Sequence, residues 1–288
     1  MVWYLLRPNA QSLANFSKAV TVSAGNRTTG DHEDYKLEVI DNPVFSPLFA
    51  QMAVAEVIQV TSGSSRETTV RMAIEAELTA AGRERTVRWT DAYFNAQGGL
   101  LALDLLQPIA ALFQSPFGNP HVKRLAVKVS AEQTRQTAEI RRAFFAKAQA
   151  DRGEHLPLHI VLKPFGKDEI TQTVDVEVPA TGEAQKSFAI TVLAGNDAPP
   201  DVAPPDSLAD YLDALEKTHR ATELVLLSQS PAQGVQYRGK LLKRLPASVA
   251  GVLDDDGRRG IADIQQIVVT TDWVLTGHAN AHIAIRQE

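Results

Sequence analysis

Apolar and polar residues alternate through most of this chain, and the alternation predicts strands more often than helices. Tyr35 to Ile40 (YKLEVI) alternates and is closed by Asp41-Asn42-Pro43, a turn signal. From Thr69 to Leu78, Val70, Met72, Ile74, Ala76 and Leu78 share one face, while Arg71, Glu75 and Glu77 share the other. That period of two marks a half-buried strand. Ala81-Gly82 then turns the chain toward Arg85 to Trp89, which predicts a hairpin. His121 to Val129 alternates again, with Leu125, Val127 and Val129 inward. Ala138 to Ala146, His155 to Leu162, Thr171 to Val178 and Ser187 to Leu193 are further strands. Turn chemistry separates them at Asp151-Arg152-Gly153, at Pro164 to Asp168 and at Thr181-Gly182-Glu183. Short strands at this regular spacing predict a small immunoglobulin-like sandwich.

Helix signals are fewer. In SPLFAQMAVAEVIQV, Ser46 stands as an N-cap with Pro47 at the first helical position, and apolar residues fill most faces. The expectation is a buried helix. GGLLALDLLQPIAALF, Gly98 to Phe113, reads as a second buried helix, kinked or interrupted at Pro108. A third runs from Ser207 to His219, with Leu208, Tyr211, Leu212 and Leu215 as its apolar stripe. Strands follow at Glu223 to Ser228 and Gln236 to Leu241, then a short helix at Leu245 to Leu253. A final strand pair covers Ile264 to Val269 and Trp273 to Arg286. The clearest boundary is Gly195 to Ser207, where four prolines and three aspartates read as an extended linker or long loop. A softer one lies near Ala131 to Thr137. The expected fold class is therefore α+β: a β-rich, multi-segment chain with a central immunoglobulin-like β-sandwich and flanking mixed α/β segments. Its divisions are a mixed α+β domain with two buried helices at 1–134, the sandwich at 135–196, and an α+β segment at 207–288.

Composition narrows the function classes. With 288 residues, 44% hydrophobic and 22% charged, the chain matches an ordinary globular protein able to bury a large core. Net charge is −5, and basic residues fall in scattered pairs such as Arg141-Arg142 and Lys243-Arg244. No basic block is interleaved with aromatics, which argues against nucleic acid as a partner. The absence of cysteine excludes disulfides, thiolate nucleophiles and cysteine-ligated metals. The apolar run Val2 to Leu6 is too short for a signal-peptide core, and no window is long enough for a membrane span.

The sharpest chemical hint is histidine. His155 and His159, and again His278 and His282, share the spacing His-x-x-x-His, so four of the seven histidines fall into two pairs. On a helix that spacing lets both rings reach one ion. Both stretches alternate with period two, however, and along a strand residues four apart are separated by about 13 Å. The expectation is two histidines on one polar strand face, with no metal held; the residual metal reading is a site shared across neighbouring strands. VLDDDGRRG, Val252 to Gly260, fails as a calcium loop, because a glycine at Gly257 would put Val252 in the first ligand position. Ser62-Gly63-Ser64 lacks the Gly-x-Ser-x-Gly context of a nucleophile. Asp104 is a candidate buried carboxylate, and a single acid makes no mechanism. No catalytic, cofactor-binding or metal residue is therefore assigned, and no cofactor is expected.

Four stretches together carry a resemblance: Tyr35 to Val54, Leu158 to Ala180, LPASVAGVL at Leu245 to Leu253, and TTDWVLTGHANAHIAIR at the end. In this order the chain, from about Tyr35 onward, resembles the region C-terminal to the peptidase domain in bacterial secreted proteins of the SpoIVB serine peptidase class. In that family the nucleophile lies in a Gly-Met-Ser-Gly-Ser-Pro type motif upstream of this region. Ser62-Gly63-Ser64 lacks the flanking Gly-Met and the proline, so no catalytic residue carries over. The resemblance implies a non-catalytic accessory or protein-interaction module of the cell envelope, periplasmic or extracellular. Its partner would be a peptidase domain or an envelope protein. The rival expectations are a hydrolase with a dispersed active site, built on Asp104 or a histidine, and a purely structural spacer. The oligomeric state is left open.

Overall fold

The computed structural model describes residues 17–42, 44–63, 67–95, 103–118, 120–180, 186–202, 204–237, 240–242 and 260–286. The chain is β-rich, with helices added to mixed sheets, an α+β arrangement. It divides into two compact units, Met1–Arg135 with Pro205–Thr218 and Gln136–Pro204 with His219–Glu288.

In the first unit, β1 (Ser17–Asn26), β2 (His32–Ile40), β3 (Thr68–Ala80), β4 (Arg83–Asn95) and β5 (His121–Glu132) form one sheet in the order β2-β1-β5-β3-β4. The β1–β5 pair is parallel and the other pairs are antiparallel. The apolar set read from Thr69 to Leu78 is buried, as are Leu125, Val127 and Val129. Both residues of the β3–β4 turn have positive φ, Ala81 at 50° and Gly82 at 75°. That is the two-residue geometry whose twist matches a hairpin. β1 was not foreseen, although Val20, Val22 and Ala24 alternate inward on it. Its first inward position is Lys18, buried and paired with Asp41 at 3.0 Å.

α1 (Phe45–Ser62) and α2 (Leu103–Phe113) share the core of this sheet through Ala50, Val54, Val57 and Ile58 and through Ile109, Leu112 and Phe113. Two expectations need correcting. Ser46 is not the cap: its hydroxyl donates to Ile40 O at 2.6 Å, while the Asn42 side-chain oxygen accepts from the backbone N–H of Val44 and Phe45. α1 is also not buried on most faces. Only one stripe packs inward, and Phe45, Leu48, Phe49 and Met52 remain exposed. α2 continues through Pro108 without interruption. α3 (Leu208–Glu216) starts at Ser207, whose hydroxyl accepts from Asp210 N at 3.2 Å. Leu212 joins the core of the first unit, and Arg85 of β4 binds Asp213 and Glu216.

In the second unit, β6 (Thr137–Phe145), β7 (Gln149–Ala150), β8 (His155–Pro164), β9 (Ile170–Glu177) and β10 (Ser187–Ala194) lead into β11 (Glu223–Tyr237), β12 (Lys240–Leu242), β13 (Gly260–Thr270), β14 (Val274–Thr276) and β15 (His278–Ile285). One sheet runs β14-β6-β8-β9; the other runs β12-β11-β10-β15-β7, with β13 also paired to β11. Leu158, Ile160 and Leu162 from the first sheet share one core with Phe188, Ile190, Leu226 and Ile283 from the second. The segments expected as separate, 135–196 and 207–288, thus meet in a single sheet, because β10 pairs with both β11 and β15. β13 and β15 do not pair with each other. Trp273 to Arg286 is also not one strand: Gly277, at φ 82°, breaks it. β14 then pairs parallel to β6 in one sheet, while β15 enters the other.

The stretch expected to be an extended linker or long loop is packed where it leaves β10. Gly195 is buried, and a Cβ there would lie 1.9 Å from Arg220 O. Gly195→Ala must therefore displace backbone, and it is expected to cost roughly 3 kcal/mol. A lowered urea midpoint, with the unfolding slope unchanged, checks this.

Candidate functional site

The second unit's sheets do not end together. In β11, Leu226 faces the core, and its cross-strand partner on β13 is Ile267. Directly opposite residues in an antiparallel pair point to the same side, so Ile267 also faces inward. Yet it is 38% exposed. One step along, Val269 packs against the core, and one step the other way Gln265 is exposed. The inner face of β13 thus runs out as a ledge that the four-stranded sheet does not cover. On that side the four-stranded sheet ends at β9, which among the described residues pairs with β8 alone.

Between β9 and the ledge lies a cleft of about 220 Å³. Its floor is Val176, Phe188, Ile190 and Leu226, and its rim carries His155, Asp175, Glu177, Ser228 and Gln265. Period two explains the division, since Val176 faces the core while Asp175 and Glu177, on either side of it, are exposed. His155 Nδ1 lies 2.9 Å from Asp175, and both side chains are largely in water.

The structure separates the sequence candidates. His155 and His159 lie on the polar face of β8, and His278 and His282 lie on the exposed face of β15. β8 lies between β6 and β9, and β15 between β10 and β7, so the two histidine pairs are not on neighbouring strands. Each β8 histidine takes a partner from β9: Asp175 for His155, and Thr173 at 3.1 Å for His159. His159 also packs its ring, tilted, against Phe144, ring centroids 5.3 Å apart. Among the described residues, no group of three or more histidine and acidic side chains could hold a metal. Ser62 and Gly63 end α1, with Gly63 N donating to Gln59 O and Val60 O. Ser64, the Asp104 side chain, Leu245 to Leu253 and the Gly257 loop lie outside the described residues.

Alternation could not point to His219. It is buried, and it ties the return of the chain from α3 to β13. Gln266 donates its amide to Pro199 O at 3.1 Å, so its oxygen accepts from His219 Nε2 at 2.7 Å. His219 Nδ1 then faces Glu223 at 3.6 Å. The groups whose titration the surroundings move are not among those lining the cleft. Lys123 holds the Glu84 carboxyl below its usual range, and Lys147 does the same for Glu154. Burial pushes Tyr211 up. For Arg85, burial acts downward, but hydrogen bonds to Glu216 and Asp213 outweigh it. No helix among the described residues is long and apolar enough to cross a membrane.

No family model matches the chain, and no curated protein or solved structure matches it.

The two kinds of histidine should respond differently to removal. His155→Ala breaks an exposed pair and is expected to change stability by less than about 0.5 kcal/mol. His219→Ala removes a buried side chain, leaves the Gln266 oxygen unpaired in a partly buried place and is expected to cost roughly 1–3 kcal/mol. Urea unfolding of both variants beside the unaltered chain checks the contrast.

Proposed function

We propose that this chain is a non-catalytic accessory or protein-interaction module of the bacterial cell envelope, working outside the cytoplasm beside a peptidase domain or another envelope protein. The partner accepted would be an extended protein segment, added as a strand to β9. One observation carries the reading: Ile267 faces inward, yet lies exposed on a ledge next to a strand edge that is unpaired among the described residues. An added strand would lie about 4.8 Å from β9. It would supply the backbone hydrogen bonds the edge lacks, and its alternate side chains would cover Ile267 and fill the cleft. In the same reading, the framework is an immunoglobulin-like sandwich drawn from both 136–204 and 219–288. The resemblance to the region behind a SpoIVB-type peptidase domain suggests the compartment and the class of partner.

The test is binding of short peptides with alternating apolar positions, selected from a displayed library against the full chain. Hydrogen exchange of the β9 amides is expected to slow when such a peptide binds, and Ile267→Glu is expected to weaken binding about tenfold or more. Unchanged exchange in β9 would overturn the reading.

A second reading, a hydrolase, has one observation in its favour: the His155–Asp175 pair and Ser228 line the same cleft. It requires a fluorophosphonate probe to label Ser228 and Ser228→Ala to abolish the labelling. An unlabelled protein removes it.

A further inference from the structure

We infer that the outer face of α1 is a two-fold docking surface for a second copy of this chain. The helix turns Ala50, Val54, Val57 and Ile58 into the core of the first unit. That leaves Phe45, Leu48, Phe49 and Met52 on the opposite side, three and four residues apart, where helix neighbours form one stripe. Exposure in this stripe runs from 39% at Phe49 to 52% at Met52. Glu56 follows Met52 on the same face and ends the apolar stripe there, while Ile40 and Val44 extend it at the other end, about half exposed or more.

The extent of this surface suits an interface. An aromatic side chain covers roughly 150–250 Å² and an aliphatic one less, so these six half-exposed groups together present on the order of 600 Å². A standard interface takes about 800 Å² from each partner, and this stripe supplies most of that in apolar surface, at the top of the roughly 300–600 Å² that monomers leave open.

Charge points to the occupant. Glu56 is the one charged residue in α1, and the helix has no lysine or arginine. A helix that rests on a membrane surface carries basic residues on its polar face; this one does not, and the chain is net negative. A two-fold interface needs a patch that complements itself. An uncharged apolar ridge does so. Crossed near Leu48 and Phe49, two copies would set Phe45 of one beside Met52 of the other and leave Glu56 and Gln59 at the rim. The ridge is also ordered in advance. The Phe45 and Phe49 rings stack at 6.0 Å, and the Ser46 hydroxyl fixes the first turn to Ile40 O. Less conformational freedom is then lost on docking. This surface belongs to the first unit, and the inference does not depend on how the cleft of the second is read.

The absence of cysteine makes the test clean. In sedimentation equilibrium the full chain is expected to dimerise, and Phe49→Glu is expected to weaken the dimer about 100-fold. Its thermal midpoint, measured where the unaltered chain is monomeric, should fall only slightly, because Phe49 lies outside the core cluster and loses chiefly its stacking on Phe45. Leu48→Cys should oxidise to a disulfide-linked dimer, and Thr173→Cys, on β9, should not. A chain that stays monomeric at about 100 µM overturns the inference, whether the face is then found to hold a neutral vesicle, another protein or the chain's own first sixteen residues. So does a dimer that Phe49→Glu leaves intact.

Discussion

An apolar surface left in water costs roughly 25 cal/mol for each Å², and the layout of this chain follows from covering its apolar sheet faces. In the first unit the cover comes from helices. Val54 and Ile58 of α1 and Ile109 and Leu112 of α2 close over Val22, Ile74 and Val127. In the second it comes from another sheet, with Leu158 and Ile160 set against Ile190 and Leu226. The second solution demands more of the chain, because strands made far apart in sequence must share a layer. Gly277 meets part of that demand. Its positive φ lets one short segment finish both sheets, β14 in one and β15 in the other. A Cβ there would also press on Ile140 O, at 3.2 Å.

Where the cover stops, surface chemistry begins. The ledge at Ile267 and the outer stripe of α1 are both places where the apolar pattern continues past the element that buries it. The polar decorations differ in kind. His155, His159, His278 and His282 all stand on the water side of strands whose other face is buried. They take up the outward half of the alternation. Lys18 is the exception, a cation at an inward position of β1, held there by Asp41 and resting 5.7 Å from the Phe113 ring centre. A buried charge stays only with such a partner.

Much of the strand content was legible because period two is local. Val70 to Leu78 and Ala279 to Ile285 announce their inward faces without knowledge of any partner. What was not legible is what lies opposite. β1 alternates too, but its inward row is short, Val20, Val22 and Ala24 with a lysine at Lys18, and its parallel pairing with β5, about a hundred residues away, is written in no local pattern. The Asp175 partner of His155 depends on the β8–β9 register, which only the folded sheet fixes. The outer face of α1 misled for a related reason. Phe45, Leu48 and Met52 look like core in the sequence, because hydrophobicity does not say whether a covering layer exists. The boundary at Gly195 misled in the opposite sense. Prolines suggested an extended linker or a long loop, and the close approach of Arg220 shows that its first residue is packed.

That close approach also orders events during synthesis. The chain leaves the second unit after Pro204, contributes α3 to the first, and returns at His219. The first core therefore lacks Leu212 until the ribosome has already made β6 through β10. The second core in turn waits for β15, near the far end of the chain. Neither unit can finish on emergence in the usual N-terminal-first manner. Each must hold a partly open core while the other is being made, and that is the period in which the exposed edges and ridges of this molecule are most vulnerable to mispairing.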